Sequence, residues 1–342
     1  MSQAAELAAV ARAMVAPGKG ILAADESSPT IKKRFDSINV ESTEEARRGY
    51  REMLFTTTGA EEFISGVILF DETLRQSASD GTPFPKLLAS KGILPGIKVD
   101  AGAKDLQFAE GEKVTEGLDG LPGRVEEYVS LGAKFAKWRA VINIDVEKDL
   151  PSEYCLDVNA HALARYAAIC VEGGLVPIVE PEVIMDGPHT IDVCRDVTER
   201  TLAKVFNELH KQRVPLEQII LKPNMVLSGS TCPTQASVDE VAQQTVDCFN
   251  RTVPGAVAGC VFLSGGQSDE LASAHLSAMN RLGSHPWELS FSYGRALQAP
   301  ALKAWGGQEA NIDAGKQAYY HRAKCNGAAR DGSYTDAMEK AA

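Results

Sequence analysis

Short apolar runs, each ending near a polar residue and each followed by helically spaced apolar positions, recur along the chain. They occupy residues 20–25, 63–71, 94–100, 135–142, 176–182, 218–224, 259–266 and 289–294. Runs of this length and composition, with no alternation of polar and apolar positions, predict strands buried on both faces. Between two of them, Leu163, Tyr166, Ala167, Cys170 and Val171 fall at i, i+3, i+4, i+7 and i+8, and Gly173-Gly174 closes the pattern. That spacing is an amphipathic helix with a glycine stop. Val238, Val241, Ala242, Thr245, Val246 and Phe249 repeat it. Ser42 with Glu45 and Ser237 with Glu240 each read as a capping box, which marks two helix starts.

Strictly alternating strands and helices predict an α/β fold. A closed (β/α)8 barrel, the TIM barrel, accommodates eight such strands better than an open sheet, because closure leaves no edge and the helices serve as the crossovers. No linker or low-complexity tract interrupts residues 1–342, so the reading is one catalytic domain with extra helices at both ends. A barrel is also one of the few single-core folds that runs to 342 residues. From about Gln308 the sequence reads as a terminal helix, and from about residue 326 as a loose polar tail ending AARDGSYTDAMEKAA.

Charge narrows the partners. Lysine and arginine total 35 against 46 acidic residues, a net charge of −11, which argues against nucleic acid and anionic membrane surfaces. A small anionic substrate would need a local basic pocket. The N-terminus lacks a basic segment followed by an apolar one, and nowhere does an apolar run approach the roughly 20 residues of a membrane span. A soluble, unsecreted protein is therefore expected. The seven cysteines form no C-x-x-C pair and are expected as reduced, buried thiols. The six histidines contain no H-E-x-x-H or H-x-x-x-H pair, so no histidine-based zinc site is expected.

The informative charges sit at strand ends. A charged residue within a barrel strand must point to the interior or to the carboxyl-terminal mouth, where barrel active sites are built. In Phe135-Ala136-Lys137-Trp138-Arg139, the two cations share one parity and Trp138 has the other, so Lys137 and Arg139 are expected inside and Trp138 outside. Glu180 and Glu182 share the interior parity of the fifth strand, either as catalytic carboxylates or as charge partners of those cations. The sixth run delivers one lysine, Lys222, to the end of an apolar strand. An amine that attacks a carbonyl must be uncharged, which at an ordinary pKa of ~10.4 it rarely is. Burial, with Lys137 and Arg139 nearby, is expected to favour that form; a lysine merely reaching from the strand terminus to water is the alternative.

Anion sites are expected at Ser264-Gly265-Gly266, where glycines admit close backbone approach, and at Arg295, whose planar fork suits phosphate. Asp25 is a candidate base. Lys98 is a candidate phosphate contact or one half of a salt bridge between neighbouring strands.

Several blocks of sequence, GKGILAADES, GVILFDETL, GIKVD, FAKWRAV, VPIVEPE, LKPNMV, FLSGGQS and SFSYGRALQAPALKAWGG, make the chain resemble class I fructose-bisphosphate aldolases from about residue 5 to residue 325. The resemblance implies that Lys222 forms a Schiff base with the keto carbon of fructose 1,6-bisphosphate, with Glu180 as its acid and base. It implies electrostatic support from Lys137, a neighbour in Glu182 that organises the lysines, and a C4-hydroxyl base in Asp25. Ser264, Gly265 and Arg295 would hold the C1 phosphate, and Ser27, Lys98 and Arg139 the C6 phosphate. It further implies a lyase needing no cofactor and no metal, a sugar-phosphate substrate, a homotetramer, and a cytoplasmic location or a plastid one after transit-peptide removal. Competing readings are another Schiff-base enzyme such as a transaldolase, which needs one strong phosphate site, and a non-catalytic barrel. Many eukaryotic members end in a tyrosine on a mobile arm, whereas the last tyrosine here is Tyr334, which leaves the late proton donor open.

Overall fold

The computed structural model of the chain describes residues 2–341, so the final Ala342 of the expected tail lies outside it. All eight expected strands form: β1 Gly20–Ala24, β2 Ile64–Leu69, β3 Leu94–Lys98, β4 Phe135–Ile142, β5 Val176–Val183, β6 Ile220–Leu221, β7 Gly259–Phe262 and β8 Glu288–Tyr293. They close into one parallel barrel in the order β1-β8-β7-β6-β5-β4-β3-β2. Closure works because both faces of the strands are largely buried: one parity faces the barrel interior and the other lies under the helices. Trp138 shows the outer parity, fully buried and stacked on Tyr166 of the helix Glu153–Gly173.

Five strands, β1, β2, β3, β6 and β7, are shorter than the runs that predict them, so the residues at those runs' ends fall in the loops beyond. β4 matches its run, β5 continues through Glu182 to one residue past its run, and β8 is shifted by one. β6 is the extreme case. Only Ile220 and Leu221 pair, a 3-10 turn over Leu216–Gln218 replaces the start of the expected strand, and Pro223 has no N–H to continue the ladder. Asn224 takes over beyond it. Its side-chain oxygen accepts from the Val183 N–H at 3.2 Å and its amide donates to Thr198 Oγ1 at 3.1 Å.

The expected helix starts hold with one correction. Ser237 caps the helix Val238–Thr252 through the Glu240 N–H at 3.3 Å. The cap expected at Ser42 belongs to Thr43, whose hydroxyl accepts from the Ala46 N–H at 3.1 Å, because the helix opens one residue later at Glu44. The glycine stop is Gly174, in the left-handed region at φ 92. A small antiparallel hairpin, Ala103–Asp105 with Lys113–Thr115, forms in the loop after β3, which the sequence reading missed.

The tail expectation needs the larger correction. The terminal helix runs from Ile312 to Arg330, and a 3-10 segment, Asp336–Ala341, follows it. Asn326 and Tyr334 are buried, and buried Arg322 pairs with Glu339. The segment after residue 326 is docked to the barrel, not loose.

Candidate active site

Eleven residues expected at the site, from seven different strands or strand-end loops, line a single cleft of about 780 Å³ at the carboxyl-terminal mouth. They are Asp25 and Ser27 after β1, Lys98 of β3, Lys137 and Arg139 of β4, Glu180 and Glu182 of β5, Lys222 after β6, Ser264 and Gly265 after β7, and Arg295 after β8. β2 contributes Phe70 from the residue that follows it. Parity and strand order explain the convergence, since alternate residues of neighbouring strands meet at one mouth.

At the centre, Lys222 is 4% exposed and its Nζ lies 3.1 Å from Glu180 Oε1. The backbone positions it: Lys222 N–H donates to Val179 O at 2.8 Å, immediately before Pro223, whose carbonyl accepts from Leu263 N–H at 3.3 Å. Glu180 Oε2 has no hydrogen-bond partner among the described residues. It lies 3.6 Å from Lys137 Nζ, so Glu180 stands between the two lysines with one oxygen directed at each. Lys137 is the hub of the cluster, 2.6 Å from Asp25, 3.6 Å from Glu180 and 4.0 Å from Asp100. Burial pulls its pKa down, but those carboxylates outweigh burial and hold the ammonium charged beyond the ordinary lysine value. Burial works on Asp25 in the opposite sense, raising its pKa, and the charges of Lys137, Lys222 and Lys98 overcome it, so the carboxyl sits at about 2.

Three expectations change here. Lys137 and Arg139 do not present unmatched positive charge to Lys222, because each already faces a carboxylate, Asp25 for Lys137 and Glu182 for Arg139. Arg139 is not an interior residue: its side chain is 43% exposed, since the eight-residue β4 carries it up to the rim. The partner of Lys98 is Asp100, two residues on at 2.5 Å, and not a residue of a neighbouring strand.

The loop after β7 and Arg295 after β8 form one corner of the cleft. Gly265 sits at φ +54, which turns the loop, and a Cβ on either Gly265 or Gly266 would come within 3.2 Å of Met185 Sδ. Arg295 is fixed over this loop by Asp269 at 3.1 Å and by the carbonyls of Gly265 and Gln267. Behind the loop the cleft meets a smaller cavity of about 260 Å³ lined by Met185, Cys194 and Asn224.

The sequence reading missed Arg34, Glu26 and Asp100. Arg34 lines the cleft from the helix Ser28–Asp36 and pairs with Glu26 at 2.6 Å. Glu26 also pairs with Arg51 at 2.7 Å and accepts from Gln298 at 2.7 Å, while Gln298 holds Ala23 O at 2.8 Å. This buried knot fixes the end of β1, hence Asp25. The Asp25-Glu26 pair of acids in sequence was its only visible sign.

A family model for class I fructose-bisphosphate aldolase matches residues 6–342. The chain belongs to that family. It is 58% identical over 330 residues to the probable fructose-bisphosphate aldolase class 1 of Xanthomonas campestris pv. campestris, covering 96% of this chain and 98% of that protein. It is 54% identical over 331 residues to the fructose-bisphosphate aldolase of Dictyostelium discoideum, covering 96% and 93%. A solved fructose-bisphosphate aldolase of Plasmodium falciparum, in complex with TRAP and a small-molecule inhibitor, superposes with a TM-score of 0.96 at 50% identity, over 97% of this chain and 96% of that one. The protein is thus an aldolase, a lyase of the class I type built on a TIM barrel.

Proposed function

We propose that this aldolase reversibly cleaves fructose 1,6-bisphosphate to dihydroxyacetone phosphate and glyceraldehyde 3-phosphate, with Lys222 as the Schiff-base nucleophile. One observation carries the assignment: of the two buried amines of the mouth, Lys137 is already held by Asp25 at 2.6 Å, whereas Lys222 has Glu180 at 3.1 Å, a carboxylate whose second oxygen makes no hydrogen bond. Glu180 can take a proton from the attacking amine and return it to the departing carbinolamine hydroxyl without leaving its place.

Once the iminium exists, removal of the C4-hydroxyl proton breaks the C3–C4 bond, and its electrons pass into the iminium to give an enamine. Glyceraldehyde 3-phosphate leaves; protonation of the enamine and hydrolysis of the imine release dihydroxyacetone phosphate. We assign the C4 proton to Asp25. At about 2 its carboxyl is a weak base while Lys137 holds it. A substrate hydroxyl that draws Lys137 away would raise its basicity at the moment of cleavage. Glu182 keeps Arg139 oriented at the rim.

Two groups of cations support a substrate with two phosphates. Arg295 with Ser264 and Gly265 lies over β7 and β8, while Lys98 and Arg139 lie on β3 and β4, which are opposite in the barrel order. Ser27 approaches from β1, beside β8. A 53% identical cytosolic aldolase of Arabidopsis thaliana supports a cytoplasmic location, and the family resemblance supports a homotetramer. No helix of the described residues is long and apolar enough to cross a membrane.

Borohydride reduction in the presence of dihydroxyacetone phosphate, followed by peptide mass mapping, should place one stable adduct on Lys222. An adduct on another lysine, or none, would overturn the mechanism. Cleavage should persist in excess EDTA, and its complete loss there would show that a metal performs the electron withdrawal assigned to the imine.

A further inference from the structure

Outside the mouth, three side chains with ligand chemistry for a soft-to-borderline divalent metal meet where the terminal helix joins the segment that follows it. His321 and Cys325 lie four residues apart on the helix Ile312–Arg330, so one helical face carries both. Glu339 comes from the 3-10 segment Asp336–Ala341. The ligand atoms of all three lie within 4.8 Å of one another.

The spacing can be compared with a tetrahedral zinc site. Bonds of about 2.0–2.3 Å to N, O and S at tetrahedral angles place ligand atoms about 3.3–3.6 Å apart. His321 Nε2 lies 3.4 Å from Glu339 Oε2 and 3.6 Å from Cys325 Sγ. Two edges of the tetrahedron are in place, and closing the third needs only a small approach of the carboxylate to the thiol. Glu339 divides its oxygens to match. Oε1 accepts from Tyr334 at 2.9 Å and pairs with Arg322, while Oε2 faces the histidine. An outer guanidinium and phenol that hold one carboxylate oxygen are the kind of support that orients a ligating carboxylate. His321 also lines a surface cleft of about 1000 Å³ with Pro300, Tyr320 and Lys324, from which water can supply the fourth ligand.

We propose that His321, Cys325 and Glu339 form a zinc-class metal site that fastens the segment after residue 330 to the terminal helix. Sequence inspection for paired histidines passes over it, because the residue at i+4 is a cysteine and the carboxylate arrives fourteen positions later. The site is separate from the Lys222 chemistry. Through Arg322, which also donates to Asp269 O at 2.8 Å, it reaches the residue that anchors Arg295.

Cobalt(II) is the probe, added to the reduced full-length chain. One equivalent should bind with a thiolate-to-cobalt charge-transfer band, and zinc should displace it. Cys325→Ser should abolish the band and weaken binding at least 100-fold; His321→Asn and Glu339→Gln should each weaken it at least 10-fold. Melting curves and borohydride trapping at Lys222 on each variant establish that the chain still folds. If Cys325→Ser does not fold, the other two variants decide. Absence of the thiolate band, half-saturation only above about 1 mM, or parental affinity in the folded variants would overturn the site. Excess EDTA should lower the melting temperature of the zinc-loaded chain and leave cleavage intact, so this result is separable from failure of the Schiff-base assignment.

Discussion

Asp25 is held by charge, and its two duties can be separated experimentally. Its folded pKa of about 2 lies below the ordinary 3.8, with Lys137, Lys222 and Lys98 overcoming the effect of burial. A depressed carboxylate pKa contributes stability that is complete above pH 3.8 and is lost as pH falls toward 2; the shift corresponds to roughly 2 kcal/mol. Asp25→Asn should therefore flatten the acid limb of a plot of urea midpoint against pH between about 4 and 2. Kinetically, the same variant should lose at least about 100-fold in cleavage while borohydride still traps dihydroxyacetone phosphate on Lys222. Loss of trapping together with cleavage would move Asp25 from the cleavage step to Schiff-base formation. Lys222→Met should keep the fold and lose cleavage by more than about a thousand-fold, read as kcat/KM with the far-ultraviolet spectrum unchanged. Much of this was legible from parity alone: a charge within a doubly buried strand has few places to go, so Lys137, Glu180 and Lys222 followed from their neighbours. Arg34 was not legible. It lies in SPTIKKRFD, whose charges at helical spacing look like any solvated face, and Lys32 of the same helix does sit in solvent.

Lys137, Arg139, Glu180 and Glu182 lie within long strands, whereas Asp25 and Lys222 are placed by strands that end early. Apolar periodicity located all eight strands but overstated the lengths of five of them, because it reports burial and not pairing. β6 shows the difference: residues 219–224 are all buried, yet only Ile220 and Leu221 pair before the chain reaches Pro223. Asn224 then acts as a side-chain substitute for the missing strand, capping the Val183 N–H directly beyond Glu182. Asn224→Ala should leave that buried donor unsatisfied and cost about 1–3 kcal/mol, read as a lower urea midpoint. Since Val183 follows Glu182 on β5, the rate of borohydride trapping should fall as well, whereas a purely global loss of stability would leave trapping by the folded fraction unchanged. No sequence pattern announces this role, because the hydrogen bond spans 41 residues. The loop proposed to hold phosphate was easier to read: Ser264-Gly265-Gly266 is a local motif, and its conformation needs the left-handed Gly265 and the narrow approach to Met185 that the glycines permit.

At the scale of the whole molecule, the barrel encloses the chemistry and the terminal segment braces it from outside. The sequence reading failed there because docking depends on a few polar contacts instead of an apolar stripe. Arg322, buried on the terminal helix, donates to Ala296 O, Asp269 O and Ser273 Oγ, and pairs with Glu339 seventeen residues on. A cation of this kind keeps its place only while its carboxylate remains; removing one partner of a buried pair typically costs about 3–5 kcal/mol. Deleting residues 332–342 removes Glu339 and the buried Tyr334 together, so the melting temperature should fall by several degrees. The consequence should also reach the mouth. Arg322 holds the carbonyl of Asp269, whose carboxylate fixes Arg295 over the loop at Gly265. The truncated chain should show a raised KM for the bisphosphate with borohydride trapping at Lys222 little changed, since the amine just after β6 and Glu180 on β5 lie in elements the deletion does not touch. An unchanged KM in a folded, destabilised truncation would confine the segment to stability and break the proposed link between Arg322 and the phosphate loop.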